Sequence, residues 1–175
     1  MSRVFTWLKA KDQRVFLLFN HKINHAVLGF FLARLTHLGG ATATIAASLC
    51  IWWFAPLPWS KIGLQAVVAL ALSHIPVAVM KKLYPRLRPY LVLPETITCD
   101  KPLKDHSFPS GHTTAIFSVV SPFVVAAPVL GFVLVPLAMI VGISRMYLGL
   151  HYPSDVAAGC VVGCLTAFGT VAVLG

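Results

Sequence analysis

Two histidines and an aspartate stand where apolar segments begin in the second half of the chain. His112 opens one apolar run, and His151 and Asp155, four residues apart, open the last one. An imidazole can act as a nucleophile or as a general acid, and two imidazoles can divide these tasks. These residue types therefore favour group-transfer chemistry in which the second histidine has a carboxylate beside it.

Three cationic residues, Lys81, Arg88 and Arg145, lie at the ends of the same apolar segments. The planar fork of arginine grips phosphate oxygens in pairs, which a residue that only anchors a span does not need to do. Anchoring at the membrane surface remains the alternative for the basic segment that starts at Lys81. Together with the histidines, these cations indicate a phosphate-like anion as the ligand.

The start of the run at His112 has the features of an anion site. Ser110 is a good N-cap for the predicted helix. The free backbone N–H groups in the first turn of that helix would face an anion. Gly111 would let the backbone approach a ligand closely. The alternative is an ordinary capped helix with a histidine that faces solvent.

The elements that position these residues must be membrane helices. Of the 175 residues, 58% are hydrophobic and only 11% are charged, and the mean hydropathy is +0.83. A bilayer span needs about 20 mostly apolar residues. We predict an all-α, multi-pass transmembrane helical bundle of about five spans, which forms one domain over residues 1–175. The predicted apolar segments are 28–54 (embedded from residue 41), 62–80, 113–127, 132–148 and 156–174.

The N-terminal segment, residues 1–38, differs from the bundle of residues 39–175 that carries the site. In residues 1–22 basic residues alternate with aromatic and aliphatic ones, which predicts an amphipathic helix lying on the membrane surface. A basic flank beside the first span is the equal alternative. The net charge of +9 is concentrated in this segment and in the loop after Lys81, so anionic lipid headgroups and a small anionic substrate explain it better than nucleic acid does.

The order of the predicted spans places the candidate site residues on one side of the membrane. We call residues 81–89 the first motif, 109–112 the second motif and 144–155 the third motif. The first and second motifs share one loop, and two predicted spans, out and back, separate the second from the third. All three motifs are therefore expected on one membrane face, whichever face that is.

The three motifs together resemble the signature of the type-2 phosphatidic-acid phosphatase family. The matching pattern is Lys81, six residues, Arg88-Pro89; Pro109-Ser110-Gly111-His112; and Ser144-Arg145, five residues, His151, three residues, Asp155. The resemblance covers residues 62–174. It implies an integral membrane phosphatase that uses no metal and no other cofactor, and many members of this family act on membrane lipids.

The resemblance also implies a role for each motif residue. His151 attacks phosphorus and becomes a phosphohistidine, Asp155 orients the imidazole, and His112 protonates the leaving oxygen. The phosphoryl oxygens would be held by five residues: Lys81, Arg88, Ser110, Gly111 and Arg145.

The substrate and the membrane face are predicted from less specific features of the sequence. Among lipid phosphates in the bilayer, we favour undecaprenyl diphosphate on the size of the chain alone, with phosphatidylglycerol phosphate and phosphatidic acid as alternatives. Resemblance to bacterial relatives favours a site on the extracytoplasmic face of the cell membrane. The sequence makes no prediction of the oligomeric state.

Two other classes of function compete with the phosphatase. A non-enzymatic anion carrier or membrane scaffold would use the same cations, but it has no need of two histidines beside an aspartate. A metal-dependent hydrolase would use His112, His151 and Asp155 as ligands, and it would lose its activity in chelator.

Overall fold

The computed structural model describes residues 3–98 and 105–175, without the side chains of Val4 and Phe5. Within these ranges the chain forms helices joined by loops, and none of the described residues lies in a β-strand, so the all-α prediction is confirmed. The helices are α1 (Arg3–Leu17), α2 (Ala26–Leu35), α3 (Ala41–Phe54), α4 (Trp59–Leu83), α5 (Pro89–Val92), α6 (Gly111–Ala126), α7 (Gly131–Tyr147) and α8 (Pro153–Leu174).

Three described segments are long and apolar enough to cross a bilayer: α4, the segment Pro128–Tyr147 that ends with α7, and α8. Fewer than half of the residues in their most apolar windows are buried inside the protein, which leaves the remainder for lipid. Helices α3 and α6 are apolar but shorter. The chain is a multi-pass membrane protein, and the five predicted apolar segments correspond to α3, α4, α6, α7 and α8; the number that span fully stays a prediction.

The described part of the N-terminal segment forms two helices, α1 and α2, and its place on the membrane surface stays a prediction. Helix α1 continues into a π-helical turn, Leu18–Lys22, and the chain then bends by 115° into α2, whose first turn is capped by the side chain of His25. Buried Asn20 fixes the bend because its amide donates to the carbonyls of Ile97 and Tyr147, at 2.7 and 2.9 Å. Helices α1 and α2 together also qualify as one broken span or a re-entrant loop.

Helix α6 is the centre of the bundle. Every residue from 113 to 123 is buried, as expected for a helix that is apolar all round. One side packs Ala115, Val119 and Phe123 against α4. Another packs Ile116, Phe117 and Val120 against α7. The core therefore fixes the position of the second motif, which begins this helix.

Two glycines of α8 let it lie directly against α6. A Cβ atom at Gly159 would come within 2.7 Å of the Ser110 carbonyl oxygen, and one at Gly163 within 2.6 Å of the Thr114 carbonyl oxygen. Small residues at such positions are the usual means of close approach between membrane helices. This contact brings the start of α8 beside the start of α6.

The end of α4, the start of α6, the end of α7 and the start of α8 meet at one end of the bundle. The amide of Ser110 donates to the carbonyl of Asp155 at 3.0 Å, which joins the second and third motifs. Arg88 reaches His151, which joins the first and third. The expectation that all three motifs share one face is therefore confirmed.

Candidate active site

His151 lies in the loop between α7 and α8 and is only 1% exposed. Its Nε2 atom is 3.1 Å from an Nη atom of Arg88, and a guanidinium can only donate. Nε2 must therefore carry the lone pair, which places the imidazole proton on Nδ1. Burial, together with the charges of Arg145 and Arg88, lowers the pKa of His151 to about 4, although the neighbouring Asp155 carboxylate acts in the opposite direction. The imidazole is thus neutral at physiological pH.

Asp155 stands behind the imidazole, in the first turn of α8. Its carboxylate oxygen Oδ2 lies 3.7 Å from His151 Nδ1 and accepts hydrogen bonds from the Ser107 hydroxyl at 2.5 Å and the Tyr152 amide at 2.8 Å. The other oxygen, Oδ1, accepts from Arg86 at 2.8 Å. The carboxylate is fully buried, so these partners fix its orientation toward Nδ1.

The Ser107 hydroxyl links the histidine to the aspartate. Its Oγ atom is 3.4 Å from His151 Nδ1 as well as 2.5 Å from the Asp155 carboxylate. Ser107 is itself fully buried. Its hydroxyl thus contacts both the imidazole and the carboxylate, which lie 3.7 Å apart.

Arg88 is almost fully buried, at 1% exposure, and all three guanidinium nitrogens have partners. Nε donates to the backbone carbonyl of Asp105 at 2.7 Å, one Nη to the Leu150 carbonyl at 2.8 Å, and the other Nη to the Asp105 carboxylate at 2.6 Å. A buried charge needs this degree of pairing. The guanidinium is held rigidly with one edge against His151.

Asp105 pairs with two cations of the first motif, Lys81 and Arg88. Its carboxylate contacts the Lys81 ammonium as well as Arg88, and it is about half exposed. Burial raises the pKa of Asp105, but the hydrogen bond from Lys81 and the charges of Arg88 and Lys81 outweigh that effect and lower it to about 2. The carboxylate therefore stays ionised above about pH 4, and an incoming phosphate must compete with it or share the two cations.

Ser110 caps α6 as the sequence predicts. Its hydroxyl oxygen accepts from the Thr113 amide at 3.5 Å and from the Thr113 hydroxyl at 2.9 Å. A Cβ atom added at Gly111 would meet no atom within 4 Å, so the space in front of this helix start is open. A ligand could thus approach the backbone here, as the sequence analysis expects.

His112 and Arg145 both lie against the segment that links α2 to α3. The His112 carbonyl and ring border Gly39 and Gly40, and His112 is partly buried. Arg145 is 3% exposed, donates to the Thr36 hydroxyl at 2.8 Å, and accepts the amide of His151 at its own carbonyl at 3.2 Å. The backbone of Arg145 thereby supports the loop that carries His151.

All eight predicted site residues lie at this end of the bundle, and Arg88, His151 and Asp155 form one connected group. Sequence reasoning assigned no role to four others that complete it: Asp12, Arg86, Asp105 and Ser107. Arg86 and Asp105 lie inside or beside the recognised motifs, so the charge of each was the available signal. Asp12 gave none, because it is 143 residues from Asp155.

Comparison with known proteins agrees with this geometry. Residues 62–175 match the PAP2 superfamily. A bacitracin transport permease protein, BcrC, from Bacillus licheniformis is 33% identical over 70% of this chain and 61% of its own length. An undecaprenyl-diphosphatase from Sulfolobus acidocaldarius is 30% identical over 62% of this chain and 53% of its own. The chain thus spans less than two thirds of the length of each of these two relatives.

A solved structure has the same fold. The crystal structure of Aquifex aeolicus LpxE superimposes with a TM-score of 0.83 over 91% of this chain and 94% of that one, at 23% sequence identity. The match to residues 62–175 includes all three motifs and covers well over half of the sequence. The chain belongs to the PAP2 superfamily.

Proposed function

We propose that this protein is an integral membrane phosphatase that hydrolyses a lipid phosphate or diphosphate through a phosphohistidine on His151. The observation that carries the proposal is the alignment around the imidazole: Nε2, with its lone pair, faces the guanidinium of Arg88, and Nδ1 faces Asp155. A carrier that only binds anions has no use for a neutral, buried and oriented imidazole.

The reaction takes two steps. In the first, Nε2 attacks the terminal phosphorus, the bond from that phosphorus to the oxygen of the leaving lipid alcohol or lipid monophosphate breaks, and His112 gives its proton to that oxygen. In the second, water attacks the phosphohistidine, its proton passes to His112, and inorganic phosphate leaves with His151 restored. When substrate binds, a phosphoryl oxygen would replace Nε2 as the acceptor of this Arg88 hydrogen bond, while the guanidinium keeps its other partners.

Charge stabilisation is the main task of the remaining residues. Phosphoryl transfer spreads negative charge over the equatorial oxygens, and fixed cations and N–H donors stabilise it. Lys81, Arg88 and Arg145 would hold these oxygens, with the start of α6 at Ser110 and Gly111 as a further donor set. Within residues 3–98 and 105–175 no three His, Cys, Asp or Glu side chains are grouped as metal ligands. Metal independence is part of the proposal and is tested below.

Undecaprenyl diphosphate is the substrate we favour. One relative is named an undecaprenyl-diphosphatase, which supports the diphosphate class. The buried cations suit a terminal phosphate, and the exposed apolar flanks of α4 and α8 suit a substrate whose chain stays in the bilayer. Phosphatidylglycerol phosphate and phosphatidic acid present the same terminal group and are the competing substrates.

Phosphate release from purified protein in detergent tests the function. We expect release from undecaprenyl diphosphate to be faster than from phosphatidylglycerol phosphate or phosphatidic acid, and undiminished by EDTA. Loss of activity in EDTA, restored by a divalent metal, would support the metal-dependent hydrolase. Anion binding with no release from any of the three lipids would support the carrier.

We propose further that the site faces the outside of the cell. The charge count of the loops favours a cytoplasmic site, but it includes Lys81, Arg86 and Arg88, which are engaged in ion pairs of the site. Cations that the chemistry needs are required on either face and carry no information about orientation. Resemblance to bacterial relatives then favours the outer face.

Thiol labelling in intact cells tests this orientation. Cys99, outside the described residues, stands between the first and second motifs in the sequence, and the other cysteines, Cys50, Cys160 and Cys164, are replaced by alanine. We expect an impermeant maleimide to label Cys99 in intact cells. The matched control carries Cys99→Ala and Lys61→Cys, at the exposed opposite end of α4, and should react only after the cells are permeabilised. The reverse pattern would place the site in the cytoplasm.

A further inference from the structure

Arg86 joins three parts of the molecule through its guanidinium group. One Nη donates to the Ser154 hydroxyl at 2.7 Å and to the Asp155 carboxylate at 2.8 Å. The other Nη donates to the Asp12 carboxylate on α1 at 2.6 Å. The group also lies 3.9 Å from the centre of the Tyr152 ring. One side chain therefore connects the N-terminal helix to the aspartate behind His151.

Asp12 caps α8 from another helix. Its Oδ1 accepts the Ser154 amide at 2.9 Å, and its Oδ2 accepts the Ser154 hydroxyl at 2.6 Å. Because Pro153 has no N–H, the Ser154 amide is the first donor of α8, and a carboxylate is favoured at this positive end of the helix. A residue near the N-terminus thus supplies a cap that α8 does not provide for itself at this position.

Apolar contact holds α1 in the same place. Phe16 lies one helical turn after Asp12 and is fully buried, with its ring centre 5.6 Å from that of Tyr152. Residues four apart share one face of a helix, so Asp12 and Phe16 dock α1 on the start of α8 together. The side chain of Asp12 is 11% exposed and that of Arg86 27%, so their ion pair is largely shielded from water.

The pair acts on the half of Asp155 that faces away from His151. Arg86 is the partner of Oδ1, while Ser107 and the Tyr152 amide hold Oδ2. Without Arg86, a fully buried carboxylate oxygen loses its charged donor, and the carboxylate is free to turn toward another one. We propose that Arg86 and Asp12 are positioning residues that clamp Asp155 in the orientation required by His151, which makes α1 part of the active site. This inference rests on the proposed phosphatase function.

The test compares Arg86→Gln, Asp12→Asn and the double variant with the wild type. Each single change is expected to lower kcat about 10-fold to 100-fold, the usual cost of losing a residue that orients a functional group, while KM changes little. Because both act through one clamp, the double variant should be scarcely slower than Arg86→Gln alone. Lys9→Gln is the matched control, since it removes an exposed charge from the same helix.

A purely structural role predicts something different. In that case the variants would lose folded protein or melting temperature, but kcat per molecule of monodisperse enzyme would match the wild type. Arg86→Lys separates charge from geometry, because a single ammonium cannot reproduce the fork that serves both carboxylates, and it should recover only part of the loss. If Asp12→Asn does not fold, Ser154→Ala removes the same hydroxyl contact from an exposed position and should lower kcat severalfold.

The possible results distinguish a failure of this inference from a failure of the proposed phosphatase function. Normal kcat in Arg86→Gln and Asp12→Asn, in a wild type that turns over, would overturn the clamp and leave the phosphatase intact. A raised KM with unchanged kcat would make Arg86 a substrate-binding residue and also overturn the clamp. A wild type with no activity on any lipid phosphate would remove the phosphatase itself.

Discussion

Replacement of His151 by alanine is expected to lower kcat by at least about 10⁴-fold, the scale seen when an enzyme loses its nucleophile. In the proposed mechanism its Nε2 forms the bond to phosphorus, and among the described residues no other imidazole at the site is paired with an aspartate. Lys81 and Arg88 remain, so the lipid phosphate should still bind. The measurements are phosphate release and displacement of a labelled lipid from the variant.

A matched control separates chemistry from the loss of a histidine in general. His106 lies one residue before Ser107, its side chain is exposed, and only its backbone carbonyl approaches Arg88, at 3.5 Å. His106→Ala should therefore keep most of the activity. Phosphate release by His151→Ala at the wild-type rate would contradict the assignment of the nucleophile.

Replacement of Arg88 by lysine is expected to lower kcat/KM by about 10²-fold to 10³-fold, although the charge is kept. Arg88 donates at the same time to the Asp105 carboxylate, the Leu150 carbonyl and Nε2 of His151. A lysine ammonium cannot reproduce this planar fork, and the carbonyl of Leu150 would lose its donor. Steady-state kinetics on the purified variant measure the loss.

The neighbouring Lys82 provides the control for charge at this membrane surface. It lies in the last turn of α4 beside Lys81 but is exposed, and Lys82→Gln should leave kcat/KM close to the wild type. An Arg88→Lys enzyme that is folded and as active as the Lys82→Gln enzyme would show that charge alone suffices at position 88, against the proposed geometry.

Much of the helical architecture can be predicted from short stretches of the sequence. Proline and glycine mark the ends of the apolar runs, and the predicted segments therefore lie close to the observed helices. The predicted segment 156–174, for example, corresponds to α8, which begins three residues earlier, at Pro153. Ser110 was predicted as the N-cap of α6 and caps it. These features depend on a few neighbouring residues, which is why a single sequence contains them.

The clamp on Asp155 could not be predicted in the same way. Asp12 reaches Ser154 only because α1 folds back onto the start of α8, and that docking depends on Phe16 and on the bend fixed by Asn20. A surface helix and a basic flank fit the same residues until the docking is known. Charge identified Arg86 as a cation of the first motif, but its partners come from both ends of the chain.

The chain buries charged side chains at the site although the burial of a charge is costly. Arg88 and Asp155 are almost fully buried at the end of a membrane bundle, and each is held by several hydrogen bonds. Such pairing offsets the desolvation cost of burying a charge, which nothing would offset for an isolated charge. The result is a rigid, preorganised set of donors around one neutral imidazole, which is the environment that phosphoryl transfer to nitrogen requires.

The central claim is that His151 carries the phosphoryl group during turnover, and rapid quenching with substrate labelled at its terminal phosphorus tests it most directly. We predict a labelled enzyme that loses its phosphate in acid and keeps it in alkali, as a phosphoramidate does, with the label assigned to His151 by mass spectrometry and missing from His151→Ala. Label on any other residue, or turnover by an enzyme that never becomes labelled, would contradict the account.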